Sequence, residues 1–371
     1  MLIVGCSADS YMPVTVAKLV SPDELPVFTD DLAFEGMSVA IKNQLAVLGK
    51  ENDRGVLRIG QTSYTTEKLR ASLEHFNALI SETDECQKEG GTLSQCHDVF
   101  AQKIRDQFLV YRLDRALLTA YYTPTIEVSA QRTEKFKYPI YRTPDTMKER
   151  HLSRDDIDFG HKLDGKGYEL FYAADRFDLY VIDIEGGARI AVNDNGNTSI
   201  RYLHYDEDNG KKFTDLSNYM VKEGLLEATD TSRWEQRAVL AAHPDKAREI
   251  YASCPGYVFF KVSMAPVVAS TGAPLTGNRS MATDPAYYPV KGLIAYVVSP
   301  LPLPPPEGTP AESNPRTVRY RTMQRFFIDQ DTGNNILGPA RADLFFGEGN
   351  YAEFLANNLM TKGTIYLLLL K

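Results

Sequence analysis

The sequence lacks the short motifs that mark several common classes of enzyme. It has no Gly-x-Ser-x-Gly motif and no phosphate-binding loop pattern, which argues against a serine hydrolase and a nucleotide-binding protein. It has no Cys-x-x-Cys or His-Glu-x-x-His pattern, and its six histidines are scattered. We therefore predict that the chain holds no structural zinc or other metal.

Positive charge and long apolar segments are also scarce. The formal net charge of -8 disfavours a nucleic-acid partner, because phosphates bind basic surfaces. No segment approaches the ~20 apolar residues that cross a bilayer. Hydrophobic residues make up 43% and charged residues 24%, which is typical of a globular protein. A chain of 371 residues suits about two domains.

Tryptophan and cysteine are rare, whereas tyrosine is abundant. One Trp stands against 21 Tyr, a weak indication of β-structure and of surfaces that face sugars. Of the four cysteines, Cys86 and Cys96 flank a Gly-Gly pair. They can form a small disulfide loop in an oxidising compartment, or they can be two unrelated buried thiols.

The N-terminus reads Met-Leu-Ile-Val-Gly-Cys, ending at Cys6. This resembles the end of a bacterial lipoprotein signal, in which the cysteine carries the lipid. The apolar run is too short to act as a signal alone. Residues 1–6 are thus either the remnant of a longer signal, which we favour, or a chance match.

Helical spacing dominates the first part of the chain, and short apolar runs dominate after Leu117. The predicted helices are residues 31–50 with Asp30 or Asp31 as N-cap, a segment after Thr66, a segment from about Ser94, and residues 214–224 and 234–251, the last broken near Pro244. The predicted strands are residues 117–122, 138–141, 168–172, 178–184, 257–262, 293–298, 318–328 and 364–370. The proline-rich residues 300–310 are expected to form an extended loop.

A glycine-rich stretch near the C-terminus, residues 329–349, carries three aspartates. An apolar run leads into it, which predicts a strand that delivers Asp329 and Asp331 to a loop, and a second short strand begins at Asp343. Carboxylates at strand ends beside glycines can approach a substrate closely, because glycine permits close backbone contact. The same pattern fits an ordinary Asp/Asn/Gly turn, so the stretch alone leaves both interpretations open.

Seven separated stretches share their order and spacing with a known family. They are residues 118–124 (Leu-Thr-Ala-Tyr-Tyr-Thr-Pro), 136–142 (Phe-Lys-Tyr-Pro-Ile-Tyr-Arg), 257–261 (Tyr-Val-Phe-Phe-Lys), 274–284, 288–292, 329–349 and 362–371. Together they resemble the MltA family, the membrane-bound lytic murein transglycosylases A, from about residue 117 to the end. The resemblance implies a mainly β protein with N-terminal helices. A double-psi β-barrel domain would comprise residues 7–124 and 265–371, and residues 125–264 would form an inserted β-rich domain.

The family resemblance also implies a reaction. It is cleavage of the β-1,4 bond between N-acetylmuramic acid and N-acetylglucosamine in peptidoglycan, with a 1,6-anhydro-muramyl product and no cofactor. Asp343 matches the family's catalytic aspartate before an aromatic-aromatic-glycine sequence. Ala342, Phe345 and Phe346 offer apolar surroundings consistent with a raised pKa at that carboxyl group. Asp331 matches an upstream aspartate that would support the site.

The remaining candidates form a substrate-binding group and a structural group. The substrate-binding candidates are Thr119, Tyr121, Tyr122, Thr123, Gly333, Asn335 and Arg341, and the structural candidates are Arg279, Asp284, Asp329, Gly338 and Gly347. Tyrosine rings can lie against sugar rings, but strand packing explains them equally well. Arg341 and Arg279 can bind substrate carboxylates or balance Asp343 and Asp284. For Arg279 and Asp284 we favour an ion pair inside the barrel.

Three departures from the family pattern keep other functions open. Residues 331–338 read Asp-Thr-Gly-Asn-Asn-Ile-Leu-Gly in place of Asp-Thr-Gly-Gly-Ala-Ile-Lys-Gly. Residues 183–188 read Asp-Ile-Glu-Gly-Gly-Ala in place of Gln-x-Gln-Gly-Ser-Gly, and residues 205–210 have become acidic. The alternatives are a peptidoglycan-binding protein without activity and a glycan hydrolase that uses two aspartates and water on the same barrel.

The resemblance further implies a partner and a location. Peptidoglycan glycan strands would be the partner, nucleic acid would not bind, and we expect a monomer. The protein would lie in the bacterial periplasm, where a lipid on Cys6 would anchor it to the outer membrane.

Overall fold

A computed structural model describes residues 11–48, 56–194, 197–304, 318–333 and 335–371. Several expectations lie outside these residues, namely the signal remnant at residues 1–6 with its anchor at Cys6, the Asn334 position of the altered loop, and residues 305–310 of the proline-rich segment. In the described ranges, no helix combines the length and the apolarity needed to cross a membrane.

The described residues form ten α-helices and fifteen β-strands, with two 3-10 turns at Pro22–Glu24 and Pro244–Lys246. The helices are α1 (Met37–Val47), α2 (Thr66–Lys88), α3 (Leu93–Gln107), α4 (Met147–Arg150), α5 (Arg154–Asp158), α6 (Arg176–Glu185), α7 (Leu216–Lys222), α8 (Arg233–Ala242), α9 (Ala247–Ala252) and α10 (Asn350–Asn358). The strands are β1 (Lys18–Leu19), β2 (Leu57–Ile59), β3 (Thr62–Tyr64), β4 (Phe108–Thr123), β5 (Thr125–Ser129), β6 (Tyr138–Tyr141), β7 (Glu169–Ala173), β8 (Gly187–Asp194), β9 (Asn197–Asp208), β10 (Val258–Ser263), β11 (Ser280–Thr283), β12 (Ile294–Leu303), β13 (Arg319–Asp331), β14 (Arg341–Glu348) and β15 (Met360–Leu370).

Six strands close into a ring in which each strand pairs with two neighbours. Their order is β4-β14-β11-β13-β12-β15, and β15 pairs with β4 to complete the ring. The pairs β4–β14 and β11–β13 are parallel, whereas the other four are antiparallel. Strand β1 pairs with β4 outside the ring. Closing a sheet on itself leaves no unpaired edge among its strands.

Successive side chains of a strand point to opposite faces of the sheet, so the buried side chains of the ring strands contribute to two hydrophobic cores, one on each face. In β12, Ala295 and Val297 belong to one core, and Ile294 and Tyr296 belong to a second core that α1, α2 and α3 cover. Phe76 of α2 packs against Phe326 of β13 in this second core, with ring centroids 5.0 Å apart. The N-terminal helices therefore belong to the ring domain through apolar packing.

A disulfide joins Cys86 of α2 to Cys96 of α3. The sequence left this pairing open, and the structure shows it. A capping box fixes the N-terminus of α3, one turn before Cys96. The Thr92 hydroxyl accepts from the backbone N–H of Gln95, and the Gln95 side chain accepts from the backbone N–H of Thr92.

The chain leaves the ring at the end of β4 and forms a second sheet before it returns at β11. The order of this sheet is β10-β9-β8-β5-β7-β6, with one parallel pair, β5–β8. Helices α6, α7, α8 and α9 pack together through a separate apolar core. The backbone N–H of Arg189 donates to the carbonyl oxygen of Pro124 (2.8 Å), which ties β8 to the residue at which the chain leaves the ring.

Most predicted helices and strands are present, but one was assigned the wrong type. Residues 178–184 lie in α6 and not in a strand. The helix begins after Asp175, whose side chain accepts from the backbone N–H of Phe177, and it ends at Gly186, which has a left-handed φ of 71°. Six of its ten residues are buried, so the sequence shows no one-sided apolar stripe that would indicate a helix.

The predicted ion pair between Arg279 and Asp284 is wrong. Arg279 forms a two-pronged pair with Asp30 instead, at 2.7 and 2.8 Å, and both side chains are fully buried. Asp284 accepts from the backbone N–H of Gly338 (2.7 Å). Asp30 comes from the segment before α1, and sequence spacing cannot reveal a contact between residues so far apart in the chain.

The same pair explains why Asp30 does not cap a helix at residue 31. Its carboxylate also accepts from the backbone N–H groups of Phe34 and Phe326, at 3.1 Å each. Helix α1 begins only at Met37, after Gly36 turns the chain with a left-handed φ of 77°. The predicted start at residue 31 is therefore six residues too early.

Candidate active site

A cleft of about 950 Å³ lies between the ring and the inserted segment. Residues of β4, β13 and β14 line the ring wall, and residues of α6, β9 and the turn after β9 line the inserted wall. This volume falls near the upper end of the ~300–1,000 Å³ usual for ligand sites. An extended ligand therefore fits the cleft better than a single small group.

Asp343 lies in β14 on the ring wall, and its side chain contacts one residue of the neighbouring strand β4 and one residue of β14 itself. The parallel register places it opposite Thr119, whose hydroxyl donates to Asp343 Oδ1. Arg341 Nη1 lies 3.0 Å from the same carboxylate oxygen and donates to Thr119 Oγ1 at 2.6 Å. The Asp343 side chain keeps 22% of its surface exposed, so a ligand in the cleft can reach it.

Burial raises the pKa of Asp343 above its ordinary value, the neighbouring Arg341 guanidinium opposes this shift, and the charge of Asp331 adds to it. A carboxyl group with a raised pKa retains its proton at higher pH than an exposed aspartic acid. Asp343 is thereby suited to donate a proton to a bound group and then to accept one.

Asp331 lies at the end of β13 and is held by three donors. The Tyr121 hydroxyl donates to its Oδ2 (3.1 Å), and the backbone N–H groups of Ser270 and Thr332 donate to its Oδ1 (2.7 and 2.9 Å). Burial raises the pKa of Tyr121 well above 10, and the nearby Asp331 adds to the shift, so the phenol stays neutral. The tyrosine ring packs on Phe345 with centroids 5.0 Å apart.

The third aspartate of the stretch, Asp329, lies beneath the cleft and does not line it. Its carboxylate accepts from Lys291 Nζ (3.1 Å) and from the Thr283 hydroxyl (2.9 Å). Burial raises the pKa of Asp329 to about 6, and Lys291 opposes the shift. The three aspartates thus differ in access to the cleft, and Asp329 has internal partners.

The structure brings most of the predicted substrate-binding residues to the cleft surface. Tyr121, Tyr122, Thr123, Gly333 and Asn335 line it together with Asp331 and Asp343. Thr119 and Arg341 lie behind Asp343 and are not among the lining residues. Of the two roles considered for Arg341, its contact agrees with balancing Asp343.

The two structural glycines have left-handed backbone conformations that side chains rarely adopt. Gly338 and Gly347 each have a φ of 94°. A Cβ on Gly277 would lie 3.1 Å from the Cα atom of Gly347, so it is Gly277 that permits the close approach of these two backbone segments. Gly338 lies in the loop before β14, and Gly347 is the second-last residue of that strand.

Two carboxyl groups of the inserted wall were not among the predicted site residues. Asp183 pairs with the buried Arg154 at 2.7 Å, and Glu185 pairs with Arg233 at 3.0 Å and accepts from the backbone N–H of Tyr122. Their sequence signal was the acidic departure at residues 183–188 from the family pattern. Both line the same cleft as Asp343.

Burial also raises the pKa values of these two carboxyl groups. It raises the pKa of Asp183 to about 7, against the effect of Arg154. It raises the pKa of Glu185 to about 7, against Arg233, and the charge of Asp343 adds to the shift of Glu185. As for metals, the described residues contain no group of three or more His, Cys, Asp or Glu side chains placed to hold an ion.

Comparisons with known proteins give two matches to family models. One, described as "MltA specific insert domain", covers residues 117–261, and one described as "3D domain" covers residues 279–369. The membrane-bound lytic murein transglycosylase A of Vibrio cholerae is 30% identical over 254 residues, 68% of this chain and 65% of that protein. The protein of the same name from Escherichia coli K12 is 31% identical over 173 residues, 46% of each chain. The matched region therefore spans about half to two thirds of these relatives.

Solved structures share the fold over nearly the whole chain. A membrane-bound lytic murein transglycosylase from Agrobacterium tumefaciens has a TM-score of 0.72 and 25% identity, covering 95% of this chain and 97% of its own. Escherichia coli MltA with bound chitohexaose has a TM-score of 0.71 and 22% identity, covering 98% and 96%. The second likeness concerns the fold alone.

A closed ring of strands, a sheet-containing segment inserted at the end of one ring strand, and a carboxyl-lined cleft at their junction define a two-part fold of mixed helix and sheet content. The chain belongs to the MltA family.

Proposed function

We propose that the protein is a peptidoglycan lytic transglycosylase and that Asp343 is its catalytic residue. The observation that carries the proposal is the carboxyl group of Asp343, which is partly exposed in a long cleft while burial raises its pKa. The curated relatives from Vibrio cholerae and Escherichia coli are named for this activity. The bond cleaved would be the β-1,4 bond between N-acetylmuramic acid and N-acetylglucosamine.

One carboxyl group can carry the whole reaction. Protonated Asp343 donates its proton to the glycosidic oxygen, and the bond from the anomeric carbon to that oxygen breaks. The C6 hydroxyl of the same muramyl sugar then attacks the anomeric carbon, and the Asp343 carboxylate accepts the hydroxyl proton. The product is a 1,6-anhydro-muramyl end, and Asp343 returns to its protonated form without a water molecule.

Asp331 supports this cycle through its charge. Fixed by Tyr121 and two backbone donors, it contributes to the raised pKa of Asp343. Tyr121, Tyr122, Thr123, Gly333 and Asn335 would contact the glycan, since their hydroxyl, amide and ring surfaces match sugar hydroxyl, N-acetyl and pyranose groups. All of these proposed glycan contacts come from the ring wall of the cleft.

The domain organisation proposed from the sequence is compatible with the strand pairings. Residues 7–124 and 265–371 would form the catalytic domain, and residues 125–264 the inserted one. We propose that the ring is a double-psi β-barrel. Its two parallel pairs, β4–β14 and β11–β13, support this assignment.

We place the protein in the bacterial periplasm, bound to peptidoglycan as a monomer. The disulfide between Cys86 and Cys96 supports an oxidising compartment. A lipid on Cys6, which lies outside the described residues, would hold it at the outer membrane.

Digestion of purified peptidoglycan sacculi followed by mass spectrometry of the fragments tests the reaction. We expect fragments that end in 1,6-anhydro-muramic acid. Fragments with a reducing muramic acid would show a hydrolase that uses water. Binding to sacculi without release of fragments would show a binding protein without activity.

A further inference from the structure

A turn after β9 forms part of the inserted wall and is rigidly built. Its centre is Asn209, which is 1% exposed. The side-chain amide donates to the carbonyl oxygens of Leu152 and Pro255, at 2.8 Å each. The amide oxygen accepts from the backbone N–H groups of Lys211 (3.2 Å) and Tyr257 (3.0 Å). Four hydrogen bonds from one buried side chain hold the backbone of this turn in place.

Two lysines, Lys211 and Lys212, project from the turn and line the cleft. Both are exposed, and the carbonyl oxygen of Lys212 accepts from the backbone N–H of Gly256 (3.1 Å). Among the described residues, neither ammonium group has a carboxylate within ion-pair distance. Their charges are therefore available to a ligand.

The neighbouring charged groups are already engaged. Asp208 accepts from the Tyr205 hydroxyl (3.0 Å) and from the backbone N–H of Gly210 (2.7 Å). Lys261, a third lysine of this wall, lies 3.6 Å from Asp206. Local carboxylates thus do not neutralise the lysine pair at the turn.

The opposite wall of the cleft carries the carboxyl groups of Asp331 and Asp343. The inserted wall carries carboxyl groups as well, but Asp183 and Glu185 are each paired with an arginine and Asp208 accepts two hydrogen bonds. The two ammonium groups are therefore the unpaired cations that the described lining of the cleft offers to a ligand. An acidic branch is attracted by the lysines and repelled by the Asp331 carboxylate on the ring wall.

We propose that Lys211 and Lys212 form a subsite for the carboxylates of a peptide branch on the bound glycan. The proposal rests on the proposed function, in which the substrate is peptidoglycan. The sugar backbone of such a strand carries no charge to complement two ammonium groups, whereas its lactyl-linked peptides carry carboxylates. By drawing the peptide to the inserted wall, the pair places the sugar bond against Asp343 and sets which face of the glycan meets that residue.

Binding measurements test the subsite. The background is Asp343→Asn, which leaves the glycan uncut if the proposed reaction is right. We compare Lys211→Gln/Lys212→Gln with the control Lys148→Gln/Lys222→Gln, which removes two exposed charges away from the cleft. The ligands are soluble peptidoglycan strands that carry their peptides and chito-oligosaccharides of similar length, which have neither lactyl groups nor peptides and carry no charge.

We expect the cleft double variant to lose about 3- to 10-fold in affinity for the peptide-bearing strands, as two exposed ion pairs would give. Its affinity for the chito-oligosaccharides should match the control, and the loss of affinity for the peptide-bearing strands should shrink as salt is raised. Equal losses on both ligands, no loss on either, or no binding to either would overturn the subsite. Absence of cleavage by the unaltered protein would contradict the proposed reaction but would leave this binding test decisive.

Discussion

On the ring wall of the cleft, Asp343 keeps 22% of its side chain exposed, whereas on the inserted wall the side chains of Asp183 and Glu185 are only 3% and 5% exposed. Burial raises the pKa of all three carboxyl groups, but only the ring aspartate combines this shift with access to a ligand. A perturbed pKa therefore does not by itself identify the residue that reacts. Exposure to the cleft distinguishes a carboxyl group that can react with a ligand from buried carboxyl groups that pair with arginines inside the protein.

The largest expected effect is the loss of activity on replacing Asp343, on the ring wall of the cleft. Asp343→Asn should reduce kcat/KM for release of soluble fragments from sacculi by about 10²- to 10⁴-fold, because the general acid is lost. The melting temperature should change little, since asparagine preserves the volume of the side chain. Asp114→Asn, at an exposed position of β4, serves as a control with unchanged activity. A loss smaller than tenfold would remove Asp343 from its proposed role.

On the inserted wall we expect an effect on stability. Arg154→Met would leave Asp183 as a buried carboxyl group without its partner, at a cost of about 3–5 kcal/mol in the free energy of unfolding. Arg142→Met, at an exposed pair with Asp145, should cost at most ~1 kcal/mol. Urea denaturation measures both. Similar losses in the two variants would show that the buried pair has no special weight.

A smaller effect on activity is expected when the hydrogen bond that holds Asp331 on the ring wall is removed. Tyr121→Phe removes the hydroxyl that donates to this carboxylate and keeps the ring that packs on Phe345. The loss of one hydrogen bond worth ~0.5–1.5 kcal/mol should lower kcat by about 3- to 10-fold with little change in KM. Tyr219→Phe, whose hydroxyl binds Glu249 outside the cleft, is the matched control. A change confined to KM would instead assign Tyr121 to substrate binding.

The last prediction concerns the pH dependence of stability, to which Glu185 contributes. Its pKa of about 7 in the folded protein lies above the ordinary value of 4.5, so the folded state binds more protons than the unfolded state between these values. Stability therefore falls as pH rises through this window. The melting temperature should decrease from pH 5 to pH 8, and Glu185→Gln should flatten the slope.

Two comparisons make the pH measurement specific. Asp183 has a folded pKa of about 7 as well, so part of the slope should remain in Glu185→Gln. Glu127→Gln, at an exposed pair with Lys135, should keep the slope of the unaltered protein. Identical slopes in all three proteins would mean that Glu185 does not contribute.

The sequence by itself determined the features that depend on neighbouring residues. The apolar run before Asp329 and Asp331 predicted a strand that β13 confirms, and the strand predicted to begin at Asp343 is β14, which begins two residues earlier. The strand predicted at residues 117–122 lies within β4, which reaches the cleft. Helix breaks near Pro244 and Gly224 also followed from local backbone chemistry. The family resemblance was carried by the same kind of short, ordered stretches.

Only the tertiary structure decided which distant residues meet. The pairing of β15 with β4 closes the ring, and Arg279 pairs with Asp30, 249 residues away. Residues 178–184 form a helix because other elements bury them on several sides, so their apolar pattern carries no helical period. Asp183 and Glu185 reach the cleft because that helix ends at the junction of the two walls. Long-range packing sets these contacts, and no local spacing in the sequence encodes them.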